Sequence, residues 1–504
     1  MRIEPDPDRF ASLYRQKTPQ VVWARLVADL ETPVSAMLKL ANDRPMSFLL
    51  ESVEGGAARG RYSILGFAPD AIWRAHGDRA EINLHAATRP NAFKPCKGGT
   101  LASLRELLAA SRINLPEGLP PMSAGVFGYM GYDTVRLIEH LPAEKPDPIG
   151  IPDGLFIRPS VIVVFDSVKD EMIIVTPVRH QPRLSAKTAY QRAVNRILDT
   201  VERLEAPLPR AASLNGEARF VMPASNVSEA KYKRMVKKAK DYIAAGDIFQ
   251  VVLSQRFSAP FTLPPFSFYR ALRRVNPSPY LYFLNFGAFA VAGSSPEILV
   301  RVKDGQVTIR PIAGTRPRGA TPEEDKRLAA ELLADEKERA EHLMLVDLGR
   351  NDVGRVARTG TVKVTDSFFL EYYSQVMHIV SNVTGELDSR HDAIDALMAG
   401  FPAGTVSGAP KIRAMQIIDE LEPEKRGLYA GCVGYFSANG EMDTCIVLRT
   451  SLIKDGMMHV QAGAGIVADS VAKNEQMECI NKAKALFRAA EEAVRFANEP
   501  RRGQ

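Results

Sequence analysis

The sequence contains few cysteines, and none of them is arranged to build a site. Its 504 residues include Cys96, Cys432, Cys445 and Cys479, and no two of these form a CxxC pair. This spacing argues against a disulfide-based scaffold and against a structural zinc site. Unpaired cysteines are typical of the reducing cytoplasm, where we therefore expect the protein to act.

Long hydrophobic runs are also missing. The longest, residues 160–165, is much shorter than the roughly 18 residues of a membrane-spanning helix. At the N-terminus, residues 4–8 are acids and prolines, where a signal peptide would have its apolar core. The sequence therefore predicts no membrane partner.

A strong excess of one charge sign is absent as well, since the formal net charge is only +6. The lysines that follow Ser228 have no interleaved aromatic side chains, so we expect them on a solvated helix face. We expect no nucleic-acid partner, whereas an anionic small molecule would suit the mild positive charge.

Hydrophobic residues make up 45% and charged residues 25% of the chain, which is ordinary for a globular protein. Proline and small polar residues at 206–227 predict a linker. It separates an N-terminal region, 1–205, from a longer region, 228–487, and a helix end and tail follow at 488–504. Strand and helix patterns are segregated rather than alternating, which predicts an α+β fold with largely antiparallel sheets.

The longer region contains the clearest helix signals. Ser228 can cap a helix that ends at Gly246, and residues 321–324 form a capping-box pattern with proline at the first helical position. Further helices are expected at 336–348, 410–421 and 471–493.

Two of these helices carry a Glu-x-x-Glu pattern. Glu338 and Glu341 lie in one, and Glu475 and Glu478 lie in the other. A spacing of three residues places each pair on one helix face. Carboxylates without His or Cys neighbours are the ligands that Mg²⁺ prefers. The alternative is a solvated acidic face, which the apolar neighbours of Glu341 and Glu478 make less suitable.

Two glycine-rich segments look like nucleotide-binding motifs but fail the pattern. Residues 463–468 match GxGxxA, yet the helix that follows leaves no room for the second strand of such a unit. In residues 404–411, lysine does not directly follow the last glycine and no Ser or Thr follows the lysine. Glycines still let backbone N–H groups approach an anion, so an anion site and an ordinary capped helix both stay open for 404–411.

Three polar residues lie in apolar or glycine-rich surroundings, namely Glu297, His378 and Arg449. His378 can equally be a core histidine, and Arg449 can simply pair with a carboxylate. With the glutamates, this set indicates Mg²⁺-assisted chemistry on a small molecule that bears carboxylates, without naming that molecule.

Several segments together resemble the chorismate-utilising enzymes, and most closely the component I family of anthranilate synthases. The matching segments follow the family's order and, with two N-terminal motifs, cover nearly the whole chain. They are residues 49–52, 61–63, 246–255, 293–297, 311–319, 341–348, 402–411 and 463–465.

This resemblance implies two β-sheets packed face to face with helices outside, and one bound Mg²⁺. By analogy, Glu341 and Glu478 hold the metal, and Glu338 and Glu475 support it directly or through water. The ion would neutralise a carboxylate of the substrate, chorismate, and orient its ring.

The resemblance also assigns roles in binding and catalysis. Glu297 would protonate the departing C4 hydroxyl while ammonia attacks C2, and His378 and Thr405 would assist, His378 in the later loss of pyruvate. The residues that would bind the two carboxylates of chorismate are Gly314, Thr315, Tyr429, Arg449, Gly463, Ala464 and Gly465.

Two positions separate the branches of the family. Aminodeoxychorismate synthases carry a lysine nucleophile where this sequence has Ala313, and water-using relatives carry a lysine base where it has Gln250. Ammonia itself is therefore the expected nucleophile. Aminodeoxychorismate synthase component I is the alternative within the family, and a catalytically silent ligand sensor is the alternative outside it.

Ammonia would come from glutamine through a partner, a glutamine amidotransferase subunit, because no complete glutaminase triad is visible here. Cys432 lies in a Gly-Cys-Val-Gly segment that only faintly resembles a nucleophile turn. A buried structural thiol is the simpler interpretation.

Two further segments resemble the family's pocket for tryptophan as a feedback inhibitor. The alternative for the first segment is that Glu51 and Ser52 simply end a strand. The candidate inhibitor-binding residues are Glu51, Ser52, Asn276, Pro277, Pro279, Tyr280 and Leu281.

Overall fold

The computed structural model describes residues 1–41, 44–54, 58–142, 145–209, 219–373 and 376–499. Residues 210–218 of the expected linker and 500–504 of the expected tail lie outside these ranges.

The helices in the described ranges are α1 (Pro7–Arg15), α2 (Pro33–Leu40), α3 (Gly99–Ala110), α4 (Ala186–Glu205), α5 (Glu229–Ala244), α6 (Pro265–Val275), α7 (Pro322–Ala334), α8 (Glu336–Gly354), α9 (Ala393–Gly400), α10 (Gly404–Ser407), α11 (Lys411–Leu421) and α12 (Ala472–Asn498).

The strands in the same ranges are β1 (Ile3–Glu4), β2 (Gln20–Val27), β3 (Ser47–Glu54), β4 (Ala58–His76), β5 (Arg79–Asn83), β6 (Lys94–Pro95), β7 (Gly125–Met130), β8 (Gly154–Asp166), β9 (Glu171–Val178), β10 (Ala224–Ser225), β11 (Gln250–Pro260), β12 (Tyr280–Asn285), β13 (Phe289–Ser295), β14 (Ile298–Lys303), β15 (Gln306–Ile309), β16 (Ile312–Pro317), β17 (Lys363–Tyr372), β18 (Val376–Glu386), β19 (Gly408–Ala409), β20 (Cys432–Ser437), β21 (Met442–Ile446), β22 (Thr450–Lys454) and β23 (Met457–Ile466).

The strands pair antiparallel and join into one hydrogen-bonded network, so the α+β prediction is confirmed. Side chains alternate between two cores along the strands. In β3, Phe48 packs into a core contributed almost entirely by strands, whereas Leu49 packs into a core shared with helices. Tyr282 and Phe283 divide in the same way in β12. Because successive side chains of a strand face opposite sides, the network folds back into two packed layers.

The helices cover the outer faces of these layers. One core is shared by strands that include β2, β8 and β12 and by buried side chains of α1, α2, α4, α6 and α12. Those of α3, α5, α8, α9 and α11 share another core with strands that include β11, β14 and β20. This arrangement agrees with the fold that the family resemblance implies.

Local capping explains where two of the helices begin. The Ser228 hydroxyl accepts the Lys231 N–H at 3.3 Å and starts α5, and Gly246, with φ of 82°, follows its end. The Thr321 hydroxyl accepts the Glu324 N–H at 3.2 Å and starts α7. The Glu324 carboxylate bonds to the Ala320 N–H rather than to that of Thr321, so only half of the predicted capping box forms.

The regions on either side of residues 206–227 share the strand network. Strand β3 pairs with β12, which places Ser52 opposite Tyr280 and Glu51 opposite Leu281. Strand β7 pairs with β20 in the same antiparallel manner. Among the described helices, none is long and apolar enough to cross a membrane.

Candidate active site

A cavity of about 570 Å³ opens between the β11–β23 ladder, β16 and the helices α8, α10 and α12. Most of the catalytic, binding and metal residues expected from the sequence lie on its wall. They are Glu297, Gly314, Thr315, Glu338, Glu341, His378, Thr405, Tyr429, Arg449, Gly463, Gly465 and Glu478. Glu475 and Ala464 are not part of the wall, and Ala464 is fully buried where β23 pairs with β11.

Helix α8 brings two of the glutamates to the cavity. The Asp335 carboxylate caps its first turn by accepting the N–H groups of Lys337 and Glu338, at 3.0 and 3.2 Å. Glu341 follows one turn later, and its Oε1 accepts a hydrogen bond from Gln250 Nε2 at 3.2 Å. Burial, together with the nearby charges of Glu338 and Glu478, raises the pKa of Glu341. Crowded carboxylates of this kind favour a bound cation.

The other glutamates have protein partners in this structure. Glu338 accepts from Arg316 Nη1 at 3.2 Å, and Glu478 lies 2.7 Å from Lys482 Nζ. Burial raises the pKa of Glu475, and the charge of Glu478 adds to that effect. Within the described residues, no three His, Cys, Asp or Glu side chains are close enough to form a ready-made metal site. The all-oxygen donor set still fits a hard cation such as Mg²⁺.

Glu297 and Thr405 form the acidic corner of the cavity. The Thr405 hydroxyl donates a hydrogen bond to Glu297 Oε1 at 3.1 Å, and the glutamate is only 7% exposed. Burial raises the pKa of Glu297 to about 8. The side chain is therefore mostly protonated at neutral pH and can act as a general acid.

His378 faces the cavity from β18 as a neutral imidazole, because burial lowers its pKa. Its Nδ1 lies 2.9 Å from the Gly314 carbonyl oxygen and 3.1 Å from Thr315 Oγ1. A proton on Nδ1 bonds to that carbonyl and leaves Nε2 free to accept a proton. Gly314 has φ of 71° at a register shift of β16. A β-carbon there would lie 3.2 Å from Glu338 Oε2, so glycine suits the position.

Arg449 supplies a positive charge without a matching anion. Its guanidinium makes no hydrogen bond or ion pair with the residues that the structure describes, although it borders the cavity. Burial lowers the pKa of Arg449, whereas Tyr373 and Glu297 act to raise it. A half-buried arginine of this kind is suited to bind a carboxylate of a ligand.

Tyr429 borders the same wall beside the glycines of β23. Its hydroxyl lies close to the backbone of Gly463. A β-carbon at Gly463 would lie 2.9 Å from that hydroxyl, and one at Gly465 would lie 2.7 Å from Gln250 Nε2. The two glycines therefore allow side chains to approach the strand closely. This close approach, rather than a nucleotide loop, accounts for the pattern at 463–468.

Residues 46–488 match the family of chorismate binding enzymes. The chain belongs to this family. It is 57% identical to anthranilate synthase component 1 of Cereibacter sphaeroides over 484 residues, which cover 96% of this chain and 97% of the relative. It is 51% identical to anthranilate synthase component 1 of Pseudomonas aeruginosa, with 93% of this chain and 95% of the relative covered.

Solved structures of two other proteins share the fold. Anthranilate synthase component I of Streptococcus pneumoniae is 40% identical, with a TM-score of 0.75, and the match covers 92% of this chain and 99% of that one. The menaquinone-specific isochorismate synthase of Escherichia coli is 19% identical, with a TM-score of 0.70 and 95% of this chain and 98% of that one covered. At that identity the second match supports the fold alone.

Two polar residues of the cavity wall were not predicted from the sequence. Lys482 lies four residues after Glu478 on α12, and its Nζ also donates to the Gly463 carbonyl at 3.0 Å. The Glu-x-x-x-Lys spacing was the available signal. Gln461 lines the cavity from β23, and nothing in its neighbourhood in the sequence marks it.

The candidate inhibitor-binding residues cluster where β3 pairs with β12. Glu51 forms an ion pair with Arg273 of α6 at 2.7 Å and accepts the Tyr269 hydroxyl at 2.5 Å. The Ser52 hydroxyl donates to the Tyr62 carbonyl at 3.0 Å. Strand β3 continues to Glu54, so the alternative that Glu51 and Ser52 end a strand is wrong.

The second segment of this cluster precedes and enters β12. Leu281 is 3% exposed, and the Tyr280 hydroxyl donates to Asp443 Oδ1 at 3.2 Å. The backbone carbonyl of Asn276 accepts a hydrogen bond from Ser294. The side-chain Nδ2 of Asn276 is buried and has no partner among the described residues. Such an unsatisfied donor is an expected feature of a ligand pocket.

Proposed function

We propose that this chain is the synthase component of an anthranilate synthase, which converts chorismate and ammonia to anthranilate and pyruvate in the cytoplasm. The observation that carries the proposal is that one cavity contains both a protonated Glu297 and the guanidinium of Arg449, which has no hydrogen-bond or ion-pair partner among the described residues. Chorismate needs an acid that protonates its departing hydroxyl. It also needs a cation that binds a carboxylate.

In this proposal, the substrate carboxylates bind to side chains and backbone groups on two sides of the cavity. Arg449 and Tyr429 provide the side-chain donors, and Thr315 and the glycines Gly314, Gly463 and Gly465 complete the set. Arginine can offer two parallel N–H groups to one carboxylate, which fixes orientation as well as affinity.

Proton transfers follow from the protonation states of the two titratable side chains. Glu297 donates its proton to the C4 hydroxyl as ammonia forms the bond to C2, so the hydroxyl leaves as water. The Thr405 hydroxyl holds the carboxyl group in place and stabilises the carboxylate that forms. Nε2 of neutral His378 then accepts a proton in the step that releases pyruvate.

Glu341 and Glu478 are the proposed ligands of Mg²⁺, with Glu338 and Glu475 contributing directly or through water. When bound, Mg²⁺ supplies charge neutralisation at a substrate carboxylate and a fixed orientation of the ring. The raised pKa of Glu341, which follows from burial and from the charges of Glu338 and Glu478, supports a cation at this place.

The nucleophile is proposed to be ammonia delivered by a glutamine amidotransferase subunit. Ala313 and Gln250, both on the cavity wall, have no basic amine that could attack the ring or activate water. Free tryptophan is the proposed inhibitor, bound near Ser52, Asn276 and Tyr280. Its effect requires that it bind a less active conformation more tightly.

The test is a fluorescence assay of anthranilate formation by the purified chain. With chorismate, Mg²⁺ and ammonium at alkaline pH, we expect steady turnover, and none with glutamine as the only nitrogen source. Adding a matching amidotransferase subunit should restore the use of glutamine. Conversion of chorismate to a product other than anthranilate, or no conversion at all, would contradict the proposal.

A further inference from the structure

Arg426 and Glu422 form an ion pair directly behind the cavity wall. Their side chains are only 1% and 4% exposed. Arg426 Nε donates to Glu422 Oε2 at 2.9 Å, and Nη2 donates to Oε1 at 2.7 Å. Burying two charges costs desolvation energy that their attraction barely offsets, so stability alone is a weak reason for such a pair.

The other bonds of Arg426 end on the cavity wall. Nη1 donates to the Val406 carbonyl at 2.7 Å, and Nη2 donates to the Val252 carbonyl at 2.6 Å. Both valines line the cavity. The guanidinium carbon also lies 5.4 Å from the centre of the Tyr429 ring. One side chain thus holds three separate segments of the wall.

Glu422 extends the contacts to a fourth segment. Its Oε1 accepts the Ser254 N–H at 2.8 Å and the Ser254 hydroxyl at 2.9 Å. Gln461 Nε2 donates in turn to Ser254 Oγ at 2.8 Å, and Gln461 lines the cavity. The ion pair therefore reaches the β23 side of the cavity through one serine.

The bond to Val406 matters most, because Val406 follows Thr405. Both belong to α10, which has four residues and no side-chain cap at its start. Inside this single turn, the Ala403 carbonyl accepts the Val406 N–H at 3.2 Å and the Ser407 hydroxyl at 2.8 Å. The bond from Arg426 to the Val406 carbonyl adds a tertiary constraint on where the Thr405 hydroxyl lies relative to Glu297.

We propose that Arg426 and Glu422 are positioning residues that hold Thr405 in hydrogen-bond contact with Glu297 and hold Gln461 at the cavity wall. Their effect on turnover rests on the proposed function, whereas their role in placing Thr405 and Gln461 does not depend on it. The groups that face Glu297 are Arg449, Tyr373 and, across a small cavity of about 30 Å³, Asp352, which is paired with Lys411. None of these groups is bonded to Arg426 among the described contacts.

Arg426→Lys tests the proposal while it keeps the buried positive charge beside Glu422. Lysine cannot reach both carbonyls with the same geometry. We expect kcat to fall by about tenfold to a hundredfold, the scale of a small misplacement of a catalytic group. Arg158→Lys is the matched control, since the buried guanidinium of Arg158 on β8 pairs with Asp70 and is not part of the cavity wall. It should leave kcat unchanged.

A second readout does not depend on turnover. The carboxyl stretch of Glu297 can be titrated by infrared difference spectroscopy and assigned by its loss in Glu297→Gln. The Thr405 hydrogen bond lowers the pKa of Glu297, so Thr405→Val should move the midpoint to higher pH. Arg426→Lys should move the midpoint in the same direction, whereas the control Arg158→Lys should not. Adding Arg426→Lys to Thr405→Val should move it no further.

Ser254→Ala is a milder variant that loses one hydroxyl and should fold even if Arg426→Lys does not. We expect it to raise KM for chorismate about threefold to tenfold, a loss of the order of one hydrogen bond, with kcat unchanged. An unshifted Glu297 midpoint in Arg426→Lys, or a wild-type KM in Ser254→Ala, would overturn the proposal. A shifted midpoint in a chain that makes no anthranilate would reject the proposed function and support the positioning role.

Discussion

Gln250 donates a hydrogen bond from Nε2 to Oε1 of Glu341 across 3.2 Å. The residue at the position of the lysine base of water-using relatives is thus in contact with a candidate metal ligand. The amide of Gln250 carries no charge, so it does not compete with a cation for Glu341. The same contact fixes one oxygen of Glu341 toward the cavity.

Replacing Glu341 or Glu478 should weaken metal binding without unfolding the protein. In Glu341→Gln or Glu478→Gln, a ligand charge is lost while the shape of the side chain is kept, so we expect weaker Mg²⁺ binding and a collapse of turnover. Titration calorimetry with Mg²⁺ and a thermal melt measure the two properties. Glu336→Gln, at an exposed position of α8, is the control. Wild-type activity of both variants at limiting Mg²⁺ would exclude these ligands.

The acid role of Glu297 predicts a pH dependence of defined sign. Its pKa is raised to about 8, so the protonated form dominates below that pH and is lost above it. At a constant concentration of unprotonated ammonia, kcat/KM should therefore fall above a pH of about 8. Glu297→Gln should lower kcat by about 10²–10⁴-fold, the usual contribution of a positioned acid. An unchanged alkaline limb in this variant would assign the pKa to another group.

Feedback inhibition should depend on the space around Ser52. Tryptophan is expected to inhibit the wild-type chain, whereas Ser52→Phe fills the space beside Tyr62 and should abolish inhibition without abolishing turnover. A tryptophan titration of initial rates measures this effect. Val168→Phe, in the exposed turn between β8 and β9, serves as the control. Equal inhibition of the wild type and Ser52→Phe would place the inhibitor elsewhere.

Cys432 should take no part in glutamine hydrolysis. It is 1% exposed in β20, between β7 and β21, and burial raises its pKa to about 12. A thiol that stays protonated and enclosed is a poor nucleophile. We expect Cys432→Ser to leave ammonium-dependent synthesis nearly unchanged. Turnover of glutamine by the isolated wild-type chain, lost in this variant, would contradict the requirement for a second subunit.

Local features of the fold were predictable because their causes are close in sequence. The caps at Ser228 and Thr321 lie where the patterns placed them, and α11 ends at Leu421 as expected. The predicted helix at 336–348 continues to Gly354, and that at 471–493 runs from Ala472 to Asn498. Gly349 directly follows the first predicted end, yet α8 continues through it, whereas no breaker residue follows Ala493. Packing of the additional turns extends both helices.

The contacts that shape the site could not be predicted in this way. Arg426 reaches the Val252 carbonyl across 174 positions of sequence, and Arg273 reaches Glu51 across 222. No periodic pattern in the sequence marks either contact, because each depends on which strands become neighbours in the fold. The glutamates of α8 and α12 were predicted from the sequence, because a spacing of three residues places each pair on one helix face. The partners of the two α8 glutamates, Arg316 and Gln250, come from strands β16 and β11.

The ladder between β3 and β12 limits how the chain can be divided. A fragment that began after residue 227 would lose β3 and β7, and would leave β12 and β20 each with an unpaired edge. Exposed edges of apolar strands recruit other chains and aggregate. Release from the inhibitor by deletion of the first region is therefore expected to yield insoluble protein. Loss of the proposed inhibition in a soluble protein is instead expected from single substitutions within the shared sheet.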